Sequence, residues 1–301
     1  MAGLFNALPG AVAQGLIWGL MAIGLYITNK ILDISDLTVD GSIVTGAGVC
    51  TMMMIGGADP WVAMLCAILA GGLCGLVTGF LHTVMDIPAI LAGILTQLAL
   101  WSVNLKIMGQ ANRSLSPRNF PVIITQMRAK EAIFMLVIIA LAVIGILYWF
   151  FGTELGCSIR ATGCNANMSR AQGINTQLNK VLGLVISNAL VALAGALLAQ
   201  YQAFSDINMG RGAIVIGLAA IVIGDVLFSR IARNFAVRLC GVLLGGVIYF
   251  MVYQIIVFVG LDPELLKMLS AVVVAVFIGM PNLKTKIFGK INIKKSAKEV
   301  K

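Results

Sequence analysis

Nine long apolar runs, each bounded by a short polar segment, restrict this chain to very few kinds of fold. They fall at about residues 11–28, 41–55, 61–81, 88–107, 132–151, 178–199, 213–228, 239–259 and 265–280. A helix needs roughly twenty apolar residues to cross a bilayer. In lipid every backbone polar group must be bonded within its own helix or around a closed barrel. The runs are of helix length and lack the alternation of barrel strands. The expectation is therefore an all-α membrane protein, a polytopic bundle of about nine (eight to ten) transmembrane helices. With 60% hydrophobic and 11% charged residues, there is too little polar surface to coat a soluble domain. No Lys or Arg stands in MAGLFNALPG ahead of the first run, so it does not read as a secretory signal.

The polar segments orient the bundle. Segment 153–175, TELGCSIRATGCNANMSRAQGIN, carries Arg160 and Arg170 and is followed by Lys180, which puts it on the cytoplasmic side. By alternation, the loop with Arg230, Arg233 and Arg238 is also inside. So is the tail, residues 282–301, with Lys284, Lys286, Lys290, Lys294, Lys295, Lys298 and Lys301. Residues 260–264 hold Asp262 and Glu264 without a cation and fall outside, and the N-terminus falls outside too. The segment 109–130 is external by the same count, yet holds Arg113, Arg118, Arg128 and Lys130. It reads as a partly folded external loop or as a docking surface for an acidic partner. The net charge of +9 is concentrated at membrane-flanking sites, so it does not point to nucleic acid. The lysine tail suits contact with anionic lipid headgroups. The chain thus divides into a first half (11–151), a cytoplasmic loop (153–175), a second half (178–280) and a cytoplasmic tail (282–301).

Glycines at four-residue spacing, Gly71, Gly75 and Gly79, Gly15 and Gly19, Gly241 and Gly245, predict close helix packing. The second and seventh runs are short and begin alike, Gly41-Ser-Ile-Val-Thr-Gly46 and Gly212-Ala-Ile-Val-Ile-Gly217. Asp36 and Asp206 stand upstream of them. Alternation sends these runs across the membrane in opposite directions, which predicts inverted-repeat halves with short discontinuous helices near a transport pathway. Candidate pathway residues are Asp36, Asp40, Ser42, Gln97, Asn104, Asn188, Gln200 and Asp206. The competing readings are that Asp36 or Asp40 caps the next helix, and that the others hydrogen-bond between helices. Asp225 lies near Arg230, where an ion pair suffices. No run carries a Lys, Arg or Glu at its middle, so a proton relay is poorly supported.

No phosphate-binding loop is present, and the single histidine, His82, rules out most catalytic constellations. The six cysteines form no CxxC pair, so no metal site, cofactor or catalytic residue is assigned. If ATP drives this protein, another subunit supplies the motor.

Within the cytoplasmic segment, Asn165 is a good N-cap, 166–172 gives about two helical turns and Gly173 suits the position after the helix. The segment resembles the coupling loop of bacterial ABC importer permeases of the branched-chain amino acid and ribose type. That loop has the form E-x-G-x-x-x-R-A-x-G-x-N-x-x-x-A-x-x-x-G-I-N. It matches at Glu154, Gly156, Arg160, Ala161, Gly163, Asn165, Gly173, Ile174 and Asn175. Ser169 or Met168 stands where the family usually has Ala. LDISDLTVDGSIVTGAG resembles the segment that opens the second span of ribose-type permeases, with Asp40 in place of a residue that is usually apolar. HTVMDIPAILAGILTQLALWSVNLKIMG and LLAQYQAFSDINMGRGAIVIGLAAIVIGD resemble a branch linked to tryptophan or other aromatic amino acids.

The resemblance implies a vitamin B12-importer-like (type II) architecture in the bacterial cytoplasmic membrane. By this resemblance the chain is expected to lack the extra N-terminal span of ribose-type permeases. The implied partners are a second permease copy (a homodimer), two ATPase subunits that hold ATP and Mg, and an external solute-binding protein. Glu154, Gly156, Arg160, Ala161, Gly163, Asn165, Ala166, Met168, Arg170, Ala171, Gly173 and Ile174 would couple to the ATPase, with Arg160 fixing the contact and Ala166 and Ala171 allowing close seating. The alternative is an ion-coupled secondary carrier with an ion site among Asp33, Asp36, Asp40 and Asp206.

Overall fold

The computed structural model describes residues 2–117, 120–228 and 234–258, together with Met268 and Val272. The ninth expected span (265–280, those two residues apart), the lysine tail, Arg118, Arg230, Arg233, Asp262 and Glu264 lie outside the described residues.

Ten α-helices are described: α1 Ala2–Tyr26, α2 Val39–Ile55, α3 Pro60–Thr83, α4 Ala89–Met108, α5 Ala129–Gly152, α6 Glu154–Cys164, α7 Ala166–Ala171, α8 Thr176–Gln202, α9 Ala213–Phe228 and α10 Phe235–Phe258. Six of the helical stretches, those of α1, α3, α4, α5, α8 and α10, are long and apolar enough to cross a membrane, while α2 and α9 are apolar but shorter. The chain is thus a polytopic helical membrane protein. The count differs from the expected nine because two apolar runs make short helices and a third falls outside the described residues.

Local chemistry sets the helix ends. Asp59 caps α3, accepting the Trp61 amide at 2.8 Å, with Pro60 in the first turn where its missing N–H costs nothing. Asn175 caps α8 by accepting the Leu178 amide at 3.1 Å. Gly109 ends α4 at φ +71°, a left-handed conformation that glycine adopts without a Cβ clash. α1 does not stop at Tyr26 but widens into a π turn, Ile27–Ile31.

Glycines fix the directions and the close spacing of the helices. A Cβ on Gly71, Gly75 or Gly79 of α3 would meet the Asn188–Ala192, Leu184 and Val181 regions of α8 in turn, so α3 and α8 are antiparallel. Gly10 and Gly24 of α1 face Tyr201 and Ser187, so α1 also opposes α8. Ser42, Gly46 and Cys50 of α2 meet Asn188, Ala192 and Gln200, so α2 runs with α8. Gly15 and Gly19 bring α1 against Val247 and Leu243 of α10, and Gly224 and Gly245 lock α9 against α10, antiparallel in each pair. In lipid, where apolar side chains gain little by leaving the solvent, such small-residue contacts are what hold helices together. α1 is the central helix, packed by α8, α10, α5 and α9. α4 and α5 are peripheral, with Leu98, Trp101, Phe134, Leu141 and Trp149 on exposed faces.

At the end of the bundle away from α6 and α7, the connection after α4 pairs with the one after α8. Asn112–Ser114 (β1) and Phe204–Asp206 (β2) form an antiparallel pair with Arg113 opposite Ser205. This ladder partly folds the segment 109–130, and Arg113 Nε donates to the Met108 carbonyl at 2.7 Å.

Candidate functional site

The short helices α2 and α9 define the first part of the site. α2 is parallel to α8 and α9 runs the other way, and their N-termini meet. Asp40, in the first turn of α2, accepts the Gly212 amide at 3.2 Å and the Ile214 amide at 3.0 Å. A helix start leaves its first amides unpaired and carries partial positive charge, so this one carboxylate takes up two amides at the start of α9. A Cβ on Gly210 would strike the Asp40 carbonyl, which makes this approach specific to glycine. The expectation that Asp40 or Asp36 caps the helix next in sequence is therefore corrected: Asp40 caps α9, and Thr38 precedes α2 without a side-chain cap.

Beside this junction lies a buried polar network. Asp36 accepts the Thr38 amide at 2.9 Å and the Asn188 side-chain amide at 2.7 Å. Asn188 in turn accepts from the Ser42 hydroxyl at 2.6 Å. All four residues are at most 1% exposed. Thr38 and Thr78 share a hydrogen bond at 2.8 Å that joins the strap before α2 to α3. Asn188 sits near the middle of α8, so this network crosses the bundle roughly halfway along its length.

The remaining candidate pathway residues are scattered. Asn104 accepts from Thr45 at 2.8 Å and donates to the Gly41 carbonyl at 3.3 Å, pinning α4 to α2. Gln200, fully buried, accepts the Ile123 amide at 3.1 Å and thereby holds the 109–130 segment. Asp206 accepts from the Asn208 amide at 2.7 Å and from Asn112 at 3.3 Å in the β1–β2 connection. Gln97 is half-buried where α4 passes Gly41. Asp33 is exposed at φ +55°. The structure thus gathers Asp36, Asp40, Ser42 and Asn188 around one junction, brings Gln97 and Asn104 against Gly41 beside it, and leaves Gln200 and Asp206 apart. Asp36, Ser42, Asn104, Asn188 and Gln200 face the interior of the bundle rather than an open surface.

The second part is α6 and α7. The sequence expectation places one short helix in the segment 153–175, whereas the structure holds two. α6 buries Gly156, Ile159 and Thr162 on one face. Gly156 lies against Phe150 and Phe151, and Gly163 lies on the Ile31 carbonyl of the π turn, so neither position has room for a Cβ. Thr162 accepts from Asn179 at 2.9 Å, tying α6 to α8. Asn165 ends α6 and starts α7, accepting the Asn167 and Met168 amides at 3.1 and 3.0 Å. Gly173, at φ +79°, follows α7 with nothing near its Cβ position, so its role is conformational.

Arg160 turns back toward the bundle. Its guanidinium carbon lies 4.4 Å from the Phe235 ring centre and 5.3 Å from that of Phe151. Ser169 is buried, while Asn167, Met168, Arg170 and Ala171 present the opposite face of α7 to solvent. Arg170 donates to Thr176 at 3.0 Å. Glu154, in the first turn of α6, and Gly173 are also exposed, whereas Ala161, Ala166 and Ile174 are half-buried.

Fold and site together define a multi-pass membrane protein with two short helices meeting inside its bundle and a capped surface helix at one end. Residues 8–281 match the family described as "Branched-chain amino acid transport system / permease component", and the chain belongs to that family of transport-system permeases. It is 37% identical to the tyrosine transport system permease protein of Clostridioides difficile (strain R20291), over 96% of this chain and 99% of that one. It is 27% identical to the fructose import permease protein FruF of Bifidobacterium longum (strain NCC 2705), over 98% of this chain and 86% of that one. It is 25% identical to the D-allose transport system permease protein AlsC of Escherichia coli (strain K12), over 80% and 74%. No solved structure matches it.

Proposed function

We propose that this permease forms the translocation pathway of an ATP-driven, binding-protein-dependent importer of an aromatic amino acid. It works as a homodimer in the bacterial cytoplasmic membrane with α6, α7 and the C-terminal tail inside and the N-terminus outside. Two ATPase subunits dock on α7, and a solute-binding protein delivers substrate at the β1–β2 end. The observation that carries this reading is the construction of α7. It is capped at both ends, backed by a buried Ser169 and open on its Met168, Arg170 and Ala171 face. A rigid element presented in this way suits the transmission of a push from a soluble motor, with alternating access as the outcome. Arg160, held by two rings, then fixes α6, the lever behind α7, to α5 and α10.

The antiparallel α2 and α9 support the inverted-repeat reading and a type II architecture. An amino-acid substrate is supported by the tyrosine-system relative, the most similar of the three above. The ion-coupled alternative is less well served, because Asp36, Asp40 and Asp206 already accept hydrogen bonds from protein donors. Among the described residues no group of three or more His, Cys, Asp or Glu side chains is placed to hold a metal ion. The test is uptake into proteoliposomes carrying the purified complex with its binding protein. ATP-dependent accumulation of labelled tyrosine or tryptophan, resistant to excess leucine and fructose, is expected. Equal uptake without ATP but with an ion gradient would overturn the reading in favour of a secondary carrier.

A further inference from the structure

Beside the π turn, a cavity of about 370 Å3 is lined by Lys30, Arg160 and Arg238, with Tyr26 and Phe235 among its walls. A second, of about 570 Å3, shares Arg160 and Phe235 and extends past Tyr148, Trp149 and Phe151. Arg160 therefore stands between a cationic chamber and an aromatic crevice. Its guanidinium is fixed by the Phe151 and Phe235 rings, and among the described residues its buried Nε has no hydrogen-bond partner. Asp225 pairs with Lys30 at 3.1 Å.

The position matters as much as the charge. Tyr148 and Trp149 are exposed on the last turns of α5, a helix whose outer face is apolar along its length. Aromatic residues at the end of such a helix mark the headgroup level of a bilayer, and basic pockets between membrane helices at that level suit anionic headgroups. A soluble anion would use only the chamber. A phospholipid uses both parts, because its phosphate needs charged donors and its glycerol and first acyl carbons need an apolar cleft beside them. We propose that one anionic phospholipid binds each protomer here, with its phosphate at Lys30, Arg160 and Arg238 and its acyl chains in the crevice beside Tyr148 and Trp149. Such a lipid braces α6 against α5 and α10. The inference rests on the membrane placement of the bundle and not on the transported substrate, so the two stand or fall separately.

The test uses the full-length protein in detergent, stripped of lipid and titrated with phosphatidylglycerol, phosphatidylcholine or inorganic phosphate. Bound lipid is read by native mass spectrometry and stabilisation by thermal melting. One retained phosphatidylglycerol per protomer and a raised Tm are expected, with neither effect from phosphatidylcholine. The double variant Lys30→Gln with Arg238→Gln spares the Arg160 stack and should weaken phosphatidylglycerol binding roughly 30-fold, the scale of lipid attraction for two cations. Trp149→Ala, at a largely exposed ring, should weaken binding without touching the charges, and it keeps the test decisive if the double variant folds poorly. Undiminished phosphatidylglycerol binding in both variants would overturn the proposal. Equal stabilisation by inorganic phosphate alone would assign the chamber to a soluble phosphate and overturn the lipid.

Discussion

Asp40 reaches across to Gly212, 172 residues further along the chain, and accepts its amide hydrogen at 3.2 Å. With the parallel bond from Ile214, the start of α2 becomes the cap of α9. Replacing Asp40 by Ala should cost about 1 kcal/mol, the usual value of a lost cap, and Asp40→Asn should cost less because an amide oxygen still accepts. Thermal melting in detergent separates the two, and equal losses would mean that the charge rather than the hydrogen bonds holds the junction.

Asn188 is the donor that closes the buried network. Asn188→Ala leaves one Asp36 oxygen without its partner inside the bundle. Stranding a buried carboxylate should destabilise by about 3 kcal/mol or more, enough to lower expression as well as Tm. Unchanged melting of the variant would show that water reaches this site.

Packing glycines separate from idle ones. A Cβ at Gly46 or Gly195 would strike backbone atoms of Ala192 or Ile43, while Gly145 on α5 has nothing within 4 Å. Gly46→Ala and Gly195→Ala should each cost roughly 1–3 kcal/mol by overpacking. Gly145→Ala should be neutral or slightly stabilising, since alanine favours the helix. Melting curves of the three variants check the ordering.

Gly173 holds a left-handed backbone just past α7. Gly173→Ala should cost about 1–2 kcal/mol locally, because an L-residue strains there. The bundle has no contact at that position, so global melting should hardly change while α7 frays. The measured signature is ATP hydrolysis that persists with reduced transport. Normal coupled transport in this variant would remove α7 from the mechanism.

Much of this was legible because it is local. Asn165 and Gly173 mark the ends of α7 through capping and glycine chemistry, which act within a few residues. The paired Gly-x-Ile-Val-x-Gly stretches marked the two short helices, since small residues near a helix start announce close packing. α6 was missed because its buried face is only Gly156, Ile159 and Thr162, and because Gly156 and Gly163 serve as contact points on Phe150, Phe151 and Ile31, which only the tertiary packing shows. The Asp40 cap was illegible, since nothing near residue 40 signals a partner beyond residue 210. Asp36, Ser42 and Asn188 were seen as polar, but polarity alone does not separate a pathway wall from a closed interior network; only their mutual bonds do. The stacking of Arg160 on Phe235 likewise depends on α10 returning to α6, a tertiary fact.

The central claim is that α7 receives an ATPase. The most direct measurement replaces Met168, exposed on α7, with a photo-crosslinking residue in native membranes and identifies the captured protein. Phe134, exposed near the start of α5 at the far end of the bundle, serves as the control position. The account predicts capture of an ATPase subunit bearing a phosphate-binding loop from position 168 and none from position 134. Capture of no nucleotide-binding protein at 168, in membranes where the transport activity is present, would contradict it.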